Sequence, residues 1–345
     1  MKGVKLWAAA GVALAALSVG YLAADAAELI PAKDYVQRVD NFRLADQNFD
    51  SKELYRMADA RAVVIYTQMN GCPIVRNTVA EYKKLRDDYR AKGVEFLMIN
   101  SATADNREAI KAEAKEWGFD DMPILVDSQQ LVGEQLGVTR TAEVFVINPK
   151  TWQVVYRGPI DDRVTYERQK AKADNTWARD ALDAVLAGKK PAVAEQQPLG
   201  CIVDFPLRDK GPSFAKISYA KQIAPIVEEK CVACHEANGI GPMTLTSYED
   251  VKKFAPMIRE VIRTDRMPPY HADPHVGKFS DDKRLTPEQT KTLVHWIEAG
   301  APRGAGKDPL AGKKFAAQDW PLGKPDVVLD VPAYTIPATG IVEYQ

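Results

Sequence analysis

A chain of 345 residues has room for two or three domains. Apolar residues make up 46% and charged residues 27%, the ordinary balance of soluble globular material. The net charge of −1 excludes any global pull toward nucleic acid or anionic membrane surfaces.

The N-terminus stands apart. Lys2 and Lys5 precede an apolar, Ala-rich stretch over residues 6–22, and Ala23, Ala24 and Ala26 supply small residues suited to a signal peptidase. Residues 1–27 read as a secretory signal peptide. An uncleaved anchor is the alternative, since about 17 apolar residues is the lower limit for spanning a bilayer. The expected location is periplasmic, with membrane contact only through an uncleaved N-terminal segment. Four cysteines remain, Cys72, Cys201, Cys231 and Cys234. They are too few to staple a chain this long, so chemical roles are expected for them.

Residues 36–190 alternate strand and helix patterns. The β-branched run 62–67 reads as a buried strand. After Cys72 and Pro73, the positions Val75, Val79, Tyr82, Leu85 and Tyr89 recur at helical spacing until Gly93. Residues 94–99 form a second strand, 106–117 a second helix and 123–126 a third strand. Residues 143–147 and 153–156 form a hairpin turned at Asn148 and Pro149, and 175–186 a last helix. This order predicts a three-layer α/β domain. Residues 187–215 are rich in Lys, Pro, Ala, Gly and Gln, and 191–215 read as a linker that carries Cys201.

Residues 216–304 change to helices separated by loops. Helices are expected from Tyr219 to Lys230, from Ser247 to Arg263, and after Thr286-Pro287-Glu288-Gln289, which has the form of a capping box. In the tail, 305–345, the runs 327–331 and 334–336 read as short strands that cannot close a sheet alone, as at the start of a truncated β domain or of a segment that pairs elsewhere.

Cys231-Val232-Ala233-Cys234-His235 has the spacing of covalent haem c attachment. Two thiols three positions apart reach the two vinyl groups of one porphyrin, and the adjacent imidazole meets the iron. A zinc pair or a dithiol redox pair are the other readings, and zinc would need a second close pair of ligands. For the sixth iron position the choice is Met267, in the rigid segment Arg266-Met267-Pro268-Pro269, with His271 second. Met243 is close to His235 in sequence, Met257 lies within a helix and reads as core packing, His275 is a further option, and His295 reads as a surface or packing residue. The segments CVACH, RMPPYHADPHVGKF and LTPEQTKTLVHWIEAGAPRG resemble the cytochrome c domains of multidomain bacterial proteins. That resemblance implies a small all-α domain over 216–304, with haem iron held by His235 and Met267.

Cys72 follows a strand and opens a helix, where a thiolate gains from the helix N-terminus and from Arg76 one turn on. An inert buried thiol is the other reading. The segments VDNFRLAD, AVVIYTQMNGCPIVRN and GVTRTAEVFVINPKTWQVVYRGPIDDR resemble thioredoxin-superfamily redoxins, including the alkyl hydroperoxide reductase branch. The resemblance covers 36–190 and implies thiol–disulfide or peroxide chemistry at Cys72. Cys72-Pro73-Ile74-Val75 lacks the second Cys of a CxxC motif, and Met69 stands where peroxiredoxins carry Thr. Thr141-Ala142-Glu143 replaces the family's cis-proline, so a trans bond is expected there. Similar redoxins often carry a Gly-Cys near Gly200-Cys201, which implies a reversible Cys72–Cys201 disulfide. An unpaired thiol or an intermolecular bond are the alternatives.

The expected function is therefore that of an exported electron-transfer protein with haem c and a redoxin domain, working with a redox partner protein. Two further readings stand beside it. The tail resembles the entry to copper type II monooxygenase-like domains, which would make the chain the front end of a larger oxidoreductase. Alternatively, the redoxin domain is an inactive binding module beside a working cytochrome.

Overall fold

In the computed structural model, residues 38–237, 239–270, 279–280, 282–315, 324–330, 332–333 and 335 are described. The signal segment 1–27, His271 and His275 lie outside them. The chain divides into two units after Asp209. No described helix is long and apolar enough to cross a membrane.

The first unit opens with a short antiparallel pair, β1 (Arg43–Ala45) and β2 (Ser51–Glu53). There follow β3 (Ala62–Gln68), α1 (Pro73–Arg90), β4 (Val94–Asn100), α2 (Arg107–Glu116), β5 (Ile124–Val126), α3 (Leu131–Leu136), β6 (Val144–Asn148), β7 (Gln153–Gly158) and α4 (Trp177–Leu186). The central sheet runs β5-β4-β3-β6-β7. Strands β3, β4 and β5 are parallel, and β6 and β7 pair antiparallel.

Every residue of β3 is buried, because both sheet faces are covered. Val64 and Tyr66 face one core with Val75, Val79 and Tyr82 of α1 and Leu182 of α4. Val63 and Ile65 face the other, with Leu97, Phe145 and Val132 and Leu136 of α3. The predicted three-layer α/β arrangement is present. Two features differ from the sequence reading. The β1–β2 pair and α3 were not expected. Helix α3 has only six residues, and Gln130 before it sits at φ 64 without a side-chain cap.

The expected linker 191–215 is also different in its first half. Arg157 exchanges backbone hydrogen bonds with Ala194 and Gln196, Val203 donates to the Thr139 carbonyl, and Val203 and Phe205 are buried in the second core. Residues 194–205 are thus a strap on the domain. Backbone pairing and two apolar anchors hold them there.

The described residues of the second unit form helices and loops, with no strand among them. After α5 (Gly211–Phe214), α6 (Ala224–Val227) lies between π-helical turns at Tyr219–Ile223 and Glu228–Val232. Pro225 removes a backbone donor from this stretch, and widened turns flank it. The helix expected over 247–263 is split into α7 (Tyr248–Lys253) and α8 (Ala255–Arg263), with Pro256 in the first turn of α8. Helix α9 (Pro287–Glu298) begins with the predicted capping box of Thr286 and Gln289. Trp296 is fully buried, near Tyr219. In the tail, the described residues 327–330 are in no strand, contrary to the sequence reading.

Candidate redox sites

Cys72 is the N-cap residue of α1, with Pro73 at the first helical position, and is 1% exposed. The loop before it is pinned from below. The Asn70 N–H donates to Asp105 at 2.8 Å and the Gly71 N–H to Glu113 at 2.6 Å. Asn100 ties Gln68 to Asp105. Burial raises the Glu113 carboxyl above the usual carboxylate range, against the pull of the Gly71 N–H. Arg76, the expected source of positive charge, lies over the Trp117 ring at 5.6 Å.

The strap carries Cys201, half-buried, to Cys72. The two are joined in a disulfide with Cα atoms 6.1 Å apart across 129 positions of sequence. This is the pairing that the resemblance implied. Thr141 stands between the partners. Its N–H donates to the Cys201 carbonyl at 2.9 Å, and its hydroxyl accepts from the Cys201 N–H at 2.9 Å and lies 3.0 Å from Cys72 Sγ. The Thr141–Ala142 bond is trans, as the sequence reading expected, and Ala142 takes φ 57. Thr67, at the end of β3, grips this turn from three sides through Arg140, Ala142 and Glu143. A small groove is lined by Ile74 and Thr78 of α1, Ala142 of this turn, Ile160, Val164 and Leu199.

Next to this turn, Glu143 is fully buried and paired with Arg157 at 2.7 Å. Burial pushes its carboxyl up from 4.5 to about 7, outweighing Arg157. The fold therefore favours the protonated form. That contribution is complete below 4.5 and is lost as pH rises through about 7. Denaturant titrations from pH 4 to 8 are expected to show wild-type stability falling more steeply with pH than that of Glu143→Gln; parallel curves would contradict this account. Sequence reasoning missed Thr141 and Glu143 as site residues. The available signal for the second was a carboxylate heading an apolar strand.

In the second unit Cys231 lies in the π-helical turn Glu228–Val232, and Cys234 and His235 follow in a tight turn closed on the Cys231 carbonyl. Both cysteines are free thiols. Burial pushes Cys231 up to about 12, whereas Cys234 is exposed. His235 Nδ1 lies 3.0 Å from the Met243 carbonyl, so this nitrogen carries the proton and Nε2 keeps its lone pair for a ligand bond. A Cβ on Gly241 would come within 2.5 Å of Nδ1, so the glycine is what lets the loop close on the ring. These residues fit a covalently held haem: two unpaired thiols at the right spacing and an imidazole oriented from behind.

Met267 follows α8, is 39% exposed, and donates its N–H to the Val261 carbonyl. Met257 is 49% exposed on α8, so the expected core role is corrected. His295 is buried and stacked on Phe214 at 4.0 Å, a packing residue.

Residues 36–162 match the model of the AhpC/TSA family. No curated protein matches the chain. Among solved structures, the chain is similar to a hypothetical protein from Sinorhizobium meliloti, with 29% identity over 48% of this chain and 92% of that one, at a TM-score of 0.43. An uncharacterized conserved protein from Geobacillus kaustophilus matches at 29% identity over 49% and 90%, with a TM-score of 0.44. A peroxidoxin, BcpB, from Mycobacterium tuberculosis matches at 21% identity over 44% and 92%, with a TM-score of 0.32. The first unit thus contains a redoxin domain of the AhpC/TSA type with a thioredoxin-like α/β fold.

Proposed function

We propose that the protein is an exported, periplasmic redox protein in which a thiol–disulfide centre at Cys72 and Cys201 shares a chain with a haem c electron carrier. The observation that carries the first half is the disulfide linking the N-terminus of α1 to the strap. Neither sulfur belongs to a CxxC motif, so the two-electron couple needs both segments. The orientation of His235 by the Met243 carbonyl supports the second half. Cys231 and Cys234 would carry the thioethers, and His235 and Met267 would ligate the iron. When bound, haem supplies one-electron chemistry. The donor and acceptor would be redox proteins of the same compartment.

Two measurements test this. The dithiol-dependent reduction of a disulfide or peroxide substrate is expected for wild type and lost in Cys72→Ser; equal activity would leave the redoxin domain a binding module. An optical spectrum of purified protein is expected to show covalent haem, with the weak charge-transfer band of a thioether–iron bond. Met267→Ala is expected to lose that band while keeping the haem. Retention of the band would remove Met267 as ligand.

A second reading has one observation in its favour. Val327, Val328 and Leu329 are 72%, 58% and 83% exposed. An apolar run left in water suits the entry to a further β domain, such as the copper monooxygenase-like domain that the tail resembles.

A further inference from the structure

The two sulfurs of the disulfide are not equivalent. Cys72 is 1% exposed, beneath the strap, whereas Cys201 is half-buried and is followed by Ile202 at 68% exposure. A disulfide sulfur carries no hydrogen. In the 3.0 Å contact between Thr141 Oγ1 and Cys72 Sγ, the threonine is therefore the donor. The same oxygen accepts the Cys201 N–H, which uses a lone pair and leaves its proton directed at Cys72. Thr141 is fully buried, so water does not compete for that proton. Cys72 also caps an 18-residue helix, whose N-terminus favours an anion. On the other side, the Arg140 guanidinium donates to the Gly200 carbonyl at 2.9 Å and places a cation beside Cys201.

We propose that thiol–disulfide exchange enters through Cys201, with Cys72 as the leaving thiolate and the Thr141 hydroxyl as its stabilising donor; this rests on the redox reading of the pair. The thiolate of a reducing dithiol attacks Cys201 Sγ. The Cys72–Cys201 bond breaks, a mixed disulfide forms on Cys201, and the electron pair of the broken bond leaves on Cys72. The second thiol of the reductant, after losing its proton to water, then attacks its own sulfur in the mixed disulfide and releases Cys201. The reductant becomes a disulfide and the protein gains two electrons. Exchange is faster when the leaving thiolate is the better stabilised one, which fixes the direction of entry.

The test uses the oxidised full-length protein. It is treated with reduced glutathione, quenched in acid, blocked with N-ethylmaleimide and peptide-mapped. Glutathione is expected on Cys201 and maleimide on Cys72; the reverse assignment overturns the proposal. In parallel, Thr141→Val is expected to slow reduction by dithiothreitol about tenfold, the scale of one hydrogen bond to a charged group, with Thr141→Ser close to wild type. Thr141→Val should also move the pH profile of Cys72 alkylation to higher pH, which a merely loosened strap does not do. An unchanged rate and profile in Thr141→Val overturn the role of the hydroxyl. Free alkylation of both cysteines in untreated oxidised protein would instead refute the underlying redox pair, so the two failures are distinct.

Discussion

Gly200→Ala is expected to open the Cys72–Cys201 disulfide and to lower the stability of the redoxin unit by about 3 kcal/mol, the upper range for overpacking a closed site. The strap crosses the 141–143 turn so closely that a Cβ at position 200 would overlap the Thr141 carbonyl and lie 2.5 Å from its hydroxyl oxygen. These are backbone and buried atoms, held in turn by Thr67, so they do not move aside cheaply. The strap must lift instead. Lifting breaks both hydrogen bonds between Thr141 and Cys201, together with those of Arg140 and Tyr166 to the Gly200 carbonyl. Maleimide labelling of oxidised protein, read beside a urea unfolding curve, checks this. Wild-type protection of both thiols and an unchanged midpoint would show that the strap tolerates a methyl group.

Cys201→Ser is expected to have an effect of similar or larger size by a different route. The disulfide closes a loop across 129 positions that contains almost the whole central sheet. Loop-closure entropy for that length is worth about 5 kcal/mol in the chain-entropy model, and measured losses for native disulfides run from about 2 to 5 kcal/mol. The loss acts on the unfolded chain, so the fold itself should persist, with Val203 and Phe205 still anchoring the strap. Amide exchange at Val64 and Tyr66 in the centre of β3 reads the global unfolding of this unit. Faster exchange in Cys201→Ser, matched by wild type kept in dithiol, is the expected result. Protection equal to that of the oxidised protein would mean that the bond contributes no stability.

The sheet was legible in the sequence because β3, β4 and β6 are dense apolar runs with both faces covered, and α1 and α4 carry clean helical periodicity. The CVACH turn was legible because its chemistry is local: five consecutive residues hold the whole spacing. The strap was not. Residues 194–205 bind through backbone groups, at Arg157, Thr139 and Thr141, and composition does not record backbone pairing. Thr141 was noticed only for standing beside a missing proline. Its place in the site comes from the Cys72 sulfur and from the backbone N–H and carbonyl of Cys201, brought to it from distant parts of the chain. The break between α7 and α8 was readable in Pro256, but the helical spacing around it masked the stop.

The most direct test of the central claim is a redox titration of the full-length protein in glutathione buffers, with Cys72 and Cys201 followed by differential alkylation and mass spectrometry. A reversible pair predicts that both thiols appear together within one chain, as a single two-electron transition with a slope near 30 mV per decade. Independent labelling of Cys72 and Cys201 at all potentials, or a bond that forms only between chains, would contradict it.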